Sequence, residues 1–246
     1  MSVKNDYTYT VDTSMLDCHG IMTPEGYQRI VLSTTEKELE RLNISISALM
    51  KRFGISWILL SLSVKILKRI APGQELKVET WHTWQKGVIY RREVKICSKE
   101  GEPLAYACTF SSLFDIAKRR LCMDRDIYAQ IAYEEAEELF EAESRHAVSG
   151  DFEYTEEVSV RPHWIDSLGH VNNFKYGQLT FDNLPTEFAE RTKDITRMEM
   201  FFTGELRLNE SVKIARKIEG NNLVEVAGTH ATDGKSAFLY RIFFAE

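Results

Sequence analysis

The feature that most constrains this fold is an echo between the two halves of the chain. Leu16-Asp17-Cys18-His19-Gly20 recurs as Ile165-Asp166-Ser167-Leu168-Gly169, and in each half a tyrosine, Tyr27 or Tyr176, follows the glycine by seven residues. Gln74-Glu75-Leu76-Lys77-Val78 likewise resembles Glu210-Ser211-Val212-Lys213-Ile214, in the same order along the chain. Ordered recurrence of this kind marks a duplicated unit. In 246 residues it leaves room for two units of about 120 residues each, an ordinary domain size.

Each half reads as one helix followed by strands. In the first, a short strand is expected around Tyr7 to Val11. Thr23-Pro24-Glu25 then opens a helix of about five turns with a capping hydroxyl, a proline at the first helical position and an acid in the first turn. Tyr27, Ile30, Val31, Leu39 and Leu42 fall near one face of that helix, and a shorter helix is expected near Ser47 to Phe53. Ile58, Leu60, Leu62, Val64 and Ile66 then keep period-two alternation, as do Leu76, Val78 and Thr80, and Val88, Tyr90, Arg92, Val94 and Ile96. Leu104 to Phe114 forms the last such run. A helix followed by antiparallel strands predicts an α+β unit with a sheet wrapped around the helix.

The second half is expected to follow suit, with a strand from Phe152 to Val160 and a helix from Asn172 to about Glu190, where Pro185 marks a kink or an early end. Strands follow near Met198 to Leu206, Val212 to Ile218, Leu223 to Thr229 and Ala237 to Phe244. The Glu- and Ala-rich stretch from Tyr128 to Glu143 reads as a surface helix with a thin apolar stripe, Ile127, Ile131, Leu139 and Phe140. The expected division is residues 1–126, a linker at 127–150, and residues 151–246.

Composition narrows the function classes. The net charge of −6 disfavours nucleic acid as a partner. No apolar run approaches the roughly 18 residues that span a bilayer, and the start of the chain lacks the apolar core of a signal peptide, so a cytoplasmic protein is expected. Cys18, Cys97, Cys108 and Cys122 form no CxxC pair, which argues against zinc or a disulfide framework, and Cys97 and Cys108 fall in strand patterns as small core residues. No Gly-x-Ser-x-Gly elbow, phosphate-binding glycine loop or metal-ligand cluster is visible.

The richest chemistry lies in Trp164-Ile165-Asp166-Ser167-Leu168-Gly169-His170-Val171-Asn172-Asn173-Phe174-Lys175-Tyr176, at a loop-to-helix junction. A helix N-terminus supplies unpaired N–H groups for a developing oxyanion, and His170 is a candidate base beside it. Asp166 and Asn172 read equally as helix caps, with Gly169 permitting the turn.

This segment resembles the Asp-x-Asn-x-His-Val-Asn-Asn-x-Lys-Tyr signature of acyl-acyl carrier protein thioesterases. Met198-Glu199-Met200-Phe201-Phe202-Thr203-Gly204-Glu205 is similar to that family's strand ending Tyr-x-x-Glu, with Phe202 for Tyr. Gly54-Ile55-Ser56-Trp57-Ile58-Leu59, Glu79-Thr80-Trp81, and Phe114-Asp115 with Lys118-Arg119-Arg120 match elements of its N-terminal half, so the resemblance covers nearly the whole chain. It implies two tandem hotdog domains, an N-terminal acyl-binding one and a C-terminal catalytic one, and cleavage of fatty acyl-acyl carrier protein in fatty acid biosynthesis.

Carried over by position, Asp166, His170 and Glu205 would be catalytic. Glu205 with His170 would activate a water, Asp166 would orient neighbouring groups, and N–H groups near Val171 and Asn172 would polarise the carbonyl. Asn172, Asn173, Trp57 and Leu59 would contact substrate, although Trp57 and Leu59 read equally as core. No cofactor is required. The acidic carrier would need a basic surface, from Lys118-Arg119-Arg120 or from Lys65, Lys68 and Arg69, which read equally as solvated charges. Because a double hotdog forms its dimer-like unit internally, a monomer or a homodimer is expected.

Two departures stand out. Leu168 occupies the position of the family's catalytic Asn, and losing one such donor costs on the order of 10²–10³ in rate. In the first half Ile21 stands where His170 stands in the second, and Arg69 or a neighbour stands where Glu205 does, so that half lacks the acid–base pair. The alternatives to weigh are an acyl-CoA thioesterase and, because of Leu168, a catalytically impaired acyl-binding hotdog. Hydratase signatures are absent.

Overall fold

The computed structural model describes residues 5–131 and 136–246. All strands lie in one antiparallel sheet. The first half contributes β1 (Asn5–Thr10), β2 (Ile55–Ile66), β3 (Glu75–Lys86), β4 (Ile89–Ser98), β5 (Pro103–Asp115) and the short β6 (Arg120–Leu121). The second contributes β7 (Glu153–Ser159), β8 (Ile195–Phe202), β9 (Ser211–Glu219), β10 (Leu223–His230) and β11 (Ser236–Phe244). The spatial order is β1-β3-β4-β5-β2-β8-β11-β10-β9-β7, with β6 beside β5. The second half is the first in reverse, meeting at β2 and β8, where Ser61 to Lys65 pair with Phe201 to Arg197.

Each half folds its sheet over a helix. In α1 (Pro24–Arg41) Thr23 Oγ1 accepts from Gly26 N–H at 3.0 Å, and the structure bears out the capped five-turn helix. Its counterpart is α4 (Asn173–Asp182), capped by Asn172 Oδ1, which accepts from Phe174 N–H at 3.1 Å. The two helices pack together: Gln28 Nε2 donates to Asn173 O at 3.0 Å, and Gln178 Nε2 donates to Glu25 Oε2 at 2.6 Å. Gly177 permits this approach, since a Cβ there would meet Gln28 Oε1 at 3.0 Å. The halves share one core, in which Tyr27, Ile30 and Val31 of α1 join Leu62, Met200 and Tyr240 from the sheet. A separate cluster of Trp57, Tyr90, Leu113, Tyr128 and Ile131 closes the far end of the first half. This is the expected α+β double hotdog.

The short helix expected near Ser47 to Phe53 forms as α2 (Ile46–Phe53), ended by Gly54 at φ 69°. Other elements differ from expectation. The second-half helix stops at Asp182, because Asn183 turns its amide to Glu156 Oε1 (2.7 Å) and Pro185 begins a separate turn, α5 (Thr186–Ala189). The surface helix expected from Tyr128 to Glu143 does not form in the described part of that span. Only α3 (Arg125–Ala129) is helical, residues 136–152 are irregular, and 132–135 lie outside the described residues. The reason is where the carbonyls go. Trp81 Nε1 donates to Glu137 O, Arg91 Nη2 to Phe140 O, Ser61 Oγ to Glu143 O and Arg197 Nη2 to Glu141 O. Side chains of β2, β3, β4 and β8 thus satisfy the backbone that a helix would have paired internally. Cys97 and Cys108 are buried and free, as expected. Among the described residues no helix is long and apolar enough to cross a membrane.

Candidate active site

The turn before α4 is built by Asp166. Its N–H donates to His170 O at 2.8 Å, and its Oδ1 accepts from the N–H groups of Leu168 (2.8 Å) and His170 (3.3 Å). Gly169, at φ 83°, supplies the left-handed residue that closes the turn. The first half repeats this geometry: Asp17 Oδ1 accepts from His19 and Ile21 N–H, both at 2.9 Å, and Asp17 N–H donates to Ile21 O at 2.8 Å. The backbone role of the aspartate therefore belongs to the fold. The difference lies in the other oxygen. Asp17 Oδ2 accepts from Thr192 Oγ1 at 2.6 Å, whereas no side chain takes Asp166 Oδ2 among the described residues.

The turn presents His170 to the chain leaving β8. His170 Nε2 lies 3.0 Å from Glu205 Oε2. Two cations flank that carboxylate: Arg207 Nη2 at 3.1 Å and, from the first half, Arg119 Nη2 at 3.6 Å. Arg207 Nη2 also lies 3.4 Å from His170 Nε2. The exit path of the strand is held on both sides. Val171 N–H donates to Leu206 O at 2.8 Å, and Tyr176 Oη accepts from Leu206 N–H at 3.3 Å. Burial pushes the Tyr176 phenol up to about 12, so it stays a neutral hydroxyl. Gly204 lets the exit pass close to β11, since a Cβ there would meet Ser236 O at 2.8 Å.

A cavity of about 540 Å³ runs from this turn into the first half. Asp166, Leu168, Asn172 and Asn173 line one end, and Leu32 and Leu39 of α1 with Trp57 and Leu59 of β2 line its apolar wall. All four residues expected to contact substrate thus border one space. Trp57 is also structural: its Nε1 donates to Ile44 O at 2.7 Å and its ring meets Tyr90 edge-on. His170 and Glu205 lie outside the cavity wall and remain partly exposed, so Asp166 is the residue common to the cavity and the His170–Glu205 cluster.

One expectation is corrected. The N–H groups of Val171 and Asn172 are already committed, to Leu206 O and to Trp164 O, both at 2.8 Å, because they hold the turn and the strand exit together. The donors left at the start of α4 are the N–H of Asn173 and the side-chain amides of Asn172 and Asn173. Leu168, 41% exposed, borders the cavity and offers it only a hydrocarbon side chain.

Sequence reasoning did not anticipate Arg207 and Arg119 at Glu205, nor the polar stretch of the cavity wall formed by His82, Arg92 and Thr109. Arg92 Nη2 lies 3.3 and 3.1 Å from the two ring nitrogens of His82. Burial, and then the Arg92 guanidinium, hold the His82 ring well below its ordinary value, and burial draws Arg92 down to about 10. The signal available was parity: Arg92 shares the strand face of Tyr90, Val94 and Ile96. Of the two basic groups, Lys118-Arg119-Arg120 sits at the site through Arg119, whereas Lys68 is paired with Glu102.

Residues 2–131 match the acyl-ACP thioesterase N-terminal domain family, and residues 149–242 match the acyl-ACP thioesterase C-terminal domain family. The chain is similar in structure to an acyl-ACP thioesterase from Bacteroides thetaiotaomicron. The TM-score is 0.86 at 19% identity, over 98% of this chain and 98% of that one. It is also similar to a 12:0-ACP thioesterase from Umbellularia californica, with TM-score 0.85 and 16% identity over 100% of this chain and 98% of that one. At these identities the likeness establishes the double-hotdog fold. No curated protein matches the chain in sequence.

Proposed function

This chain belongs to the acyl-ACP thioesterase family, and we propose that it hydrolyses fatty acyl thioesters on acyl carrier protein with a water activated by His170 and Glu205. Members of the family are thioester hydrolases, and this chain is one of them. The single observation that carries the proposed mechanism is the 3.0 Å contact between His170 Nε2 and Glu205 Oε2, made by two elements that the fold brings together at the cavity end.

With the proton on Nε2, His170 donates to Glu205 and keeps a lone pair on Nδ1. The pair takes a proton from water as its oxygen bonds to the thioester carbon. The oxyanion is met by donors at the start of α4, the Asn173 N–H and the Asn172 and Asn173 amides. Collapse of the tetrahedral intermediate breaks the C–S bond, and the pair returns the proton to the leaving thiolate. Asp166 holds the His170 backbone through its Oδ1 and keeps Oδ2 for a water or substrate at the cavity mouth. The acyl chain enters the cavity along Trp57 and Leu59, and the water mechanism needs no cofactor.

Arg119 and Arg120, on the hairpin of β5 and β6, put positive charge next to Glu205, where an acidic carrier would dock, while Lys118 is paired with Asp115. Four free cysteines suit a reducing, cytoplasmic setting. The second reading, an acyl-binding protein with impaired catalysis, is favoured by one observation: Leu168 at the cavity mouth supplies no donor. Thiol release from acyl carrier proteins loaded with short to long chains, beside the matching acyl-CoAs, decides among these. Faster release from the carrier is expected. Preference for acyl-CoA contradicts the carrier assignment, and binding without release supports the second reading.

A further inference from the structure

Part of the cavity wall has no use for an unsubstituted hydrocarbon chain. Arg92 of β4 and Thr109 of β5 stand opposite each other in the sheet, both bordering the cavity and exposed by only 3% and 1%. The Arg92 guanidinium reaches Thr80 Oγ1 at 3.2 Å and the His82 ring, and no carboxylate pairs with it among the described residues. Glu38, whose charge acts on Arg92, is itself held by Arg41 Nη2 at 2.8 Å and Tyr7 Oη at 2.7 Å. Across the cavity, the buried Oγ1 of Thr35 lacks a hydrogen-bond partner, as does that of Thr109. Buried donors and cations left without acceptors are costly, and a polar cluster placed against a ligand cavity is satisfied by the ligand.

The position along the cavity can be read from α1. Gln28 contacts Asn173 at the start of α4, and Glu38 lies ten residues further along the same helix. At about 1.5 Å per residue that is roughly 15 Å, which sets Arg92 well beyond the thioester end. We infer that the cavity takes an acyl chain carrying an oxygen function, a hydroxyl or oxo group, in its distal half, held by Arg92 and Thr109. The inference rests on the reading of this cavity as the acyl site. Arg92 donates to the oxygen, and a hydroxyl adds a bond with Thr109 or Thr35. An alkyl chain of the same length leaves the Thr109 and Thr35 hydroxyls without a partner and gives Arg92 no acceptor beyond Thr80 and His82.

The test is calorimetric binding of free fatty acids to the purified protein. Plain acids from decanoic to hexadecanoic are compared with the same acids bearing a hydroxyl or oxo group at successive distal positions. At least one distal position should bind roughly tenfold or more tightly than the plain acid, the ordinary effect of a bond to a charged donor. Arg92→Met, which keeps bulk and removes the donors, should erase that advantage, and Thr109→Val should reduce it for the hydroxy acid. Plain acids binding equally well at every position overturn the inference. So does an advantage that survives Arg92→Met or, if that variant does not fold, one unchanged in Thr109→Val. Binding is read without turnover. Failure of the hydrolase reading shows instead as no thiol release from any carrier, so the two failures are distinct.

Discussion

His170 Nε2 lies 3.0 Å from Glu205 Oε2, although one residue sits in the turn before α4 and the other beyond the end of β8. Two hydrogen bonds fix this juxtaposition, Val171 N–H to Leu206 O and Leu206 N–H to Tyr176 Oη. The pair is therefore as rigid as the packing of the helix on the sheet.

Gly204→Ala tests that rigidity. A Cβ at this position meets Ser236 O at 2.8 Å, so the strand exit must move away from β11 and carry Glu205 with it. The expected cost is about 1–3 kcal/mol of stability by urea denaturation. It is accompanied by a drop in kcat on the order of 10²-fold, the effect of misplacing a catalytic group by about 1 Å. A stability loss with undiminished kcat would show that the position of Glu205 is not critical.

Leu168→Asn tests the missing donor. The Leu168 N–H is already bound by Asp166 Oδ1, so the substitution changes only what faces the cavity mouth. An increase in kcat of about tenfold is expected, less than the 10²–10³ of a preorganised donor because the surroundings are not shaped for it. An unchanged kcat would mean that Asn172 and Asn173 already supply the stabilisation.

Arg120→Glu tests the docking surface. Its reversed charge lies on the hairpin beside Arg119, clear of the His170–Glu205 contact. KM for acyl carrier protein should rise several-fold, most at low salt, while turnover of the uncharged acyl-pantetheine stays the same. Equal effects on both substrates would place the carrier elsewhere.

His82 makes stability depend on pH. Folding holds its ring neutral, well below the ordinary value of 6.5, while the unfolded ring takes up a proton near 6.5. The unfolded chain then binds more protons than the native one, so this contribution is complete above about pH 6.5 and is lost as the pH falls. Between about pH 8 and pH 5.5 the wild type should lose more stability in urea than His82→Gln does. Equal losses would contradict a buried neutral His82.

The fold was largely legible because duplication and strand parity are local signals. The Asp17 and Asp166 turns, the cap at Thr23 and the alternation from Ile58 to Ile66 all appear in the structure where the residues place them. The Tyr128 to Glu143 segment was misread because its backbone pairs with distant side chains, Trp81, Arg91 and Ser61, which no local pattern reveals. The Val171 and Asn172 donors failed for a related reason, since their acceptors belong to Leu206 and Trp164. Arg92 was visible on the inward parity of its strand. Its meaning emerged only once α1 and β5 closed the cavity around it.

The most direct test of the account is single-turnover and steady-state thiol release from acyl carrier protein substrates by the wild type and Glu205→Ala. Glu205 is partly exposed and caps no element, so the variant should fold with nearly unchanged stability. The account predicts release by the wild type and a loss of about 10²–10⁴ in the variant, the range of a general acid–base group, with substrate still bound. Release that proceeds equally in Glu205→Ala would contradict the His170–Glu205 mechanism.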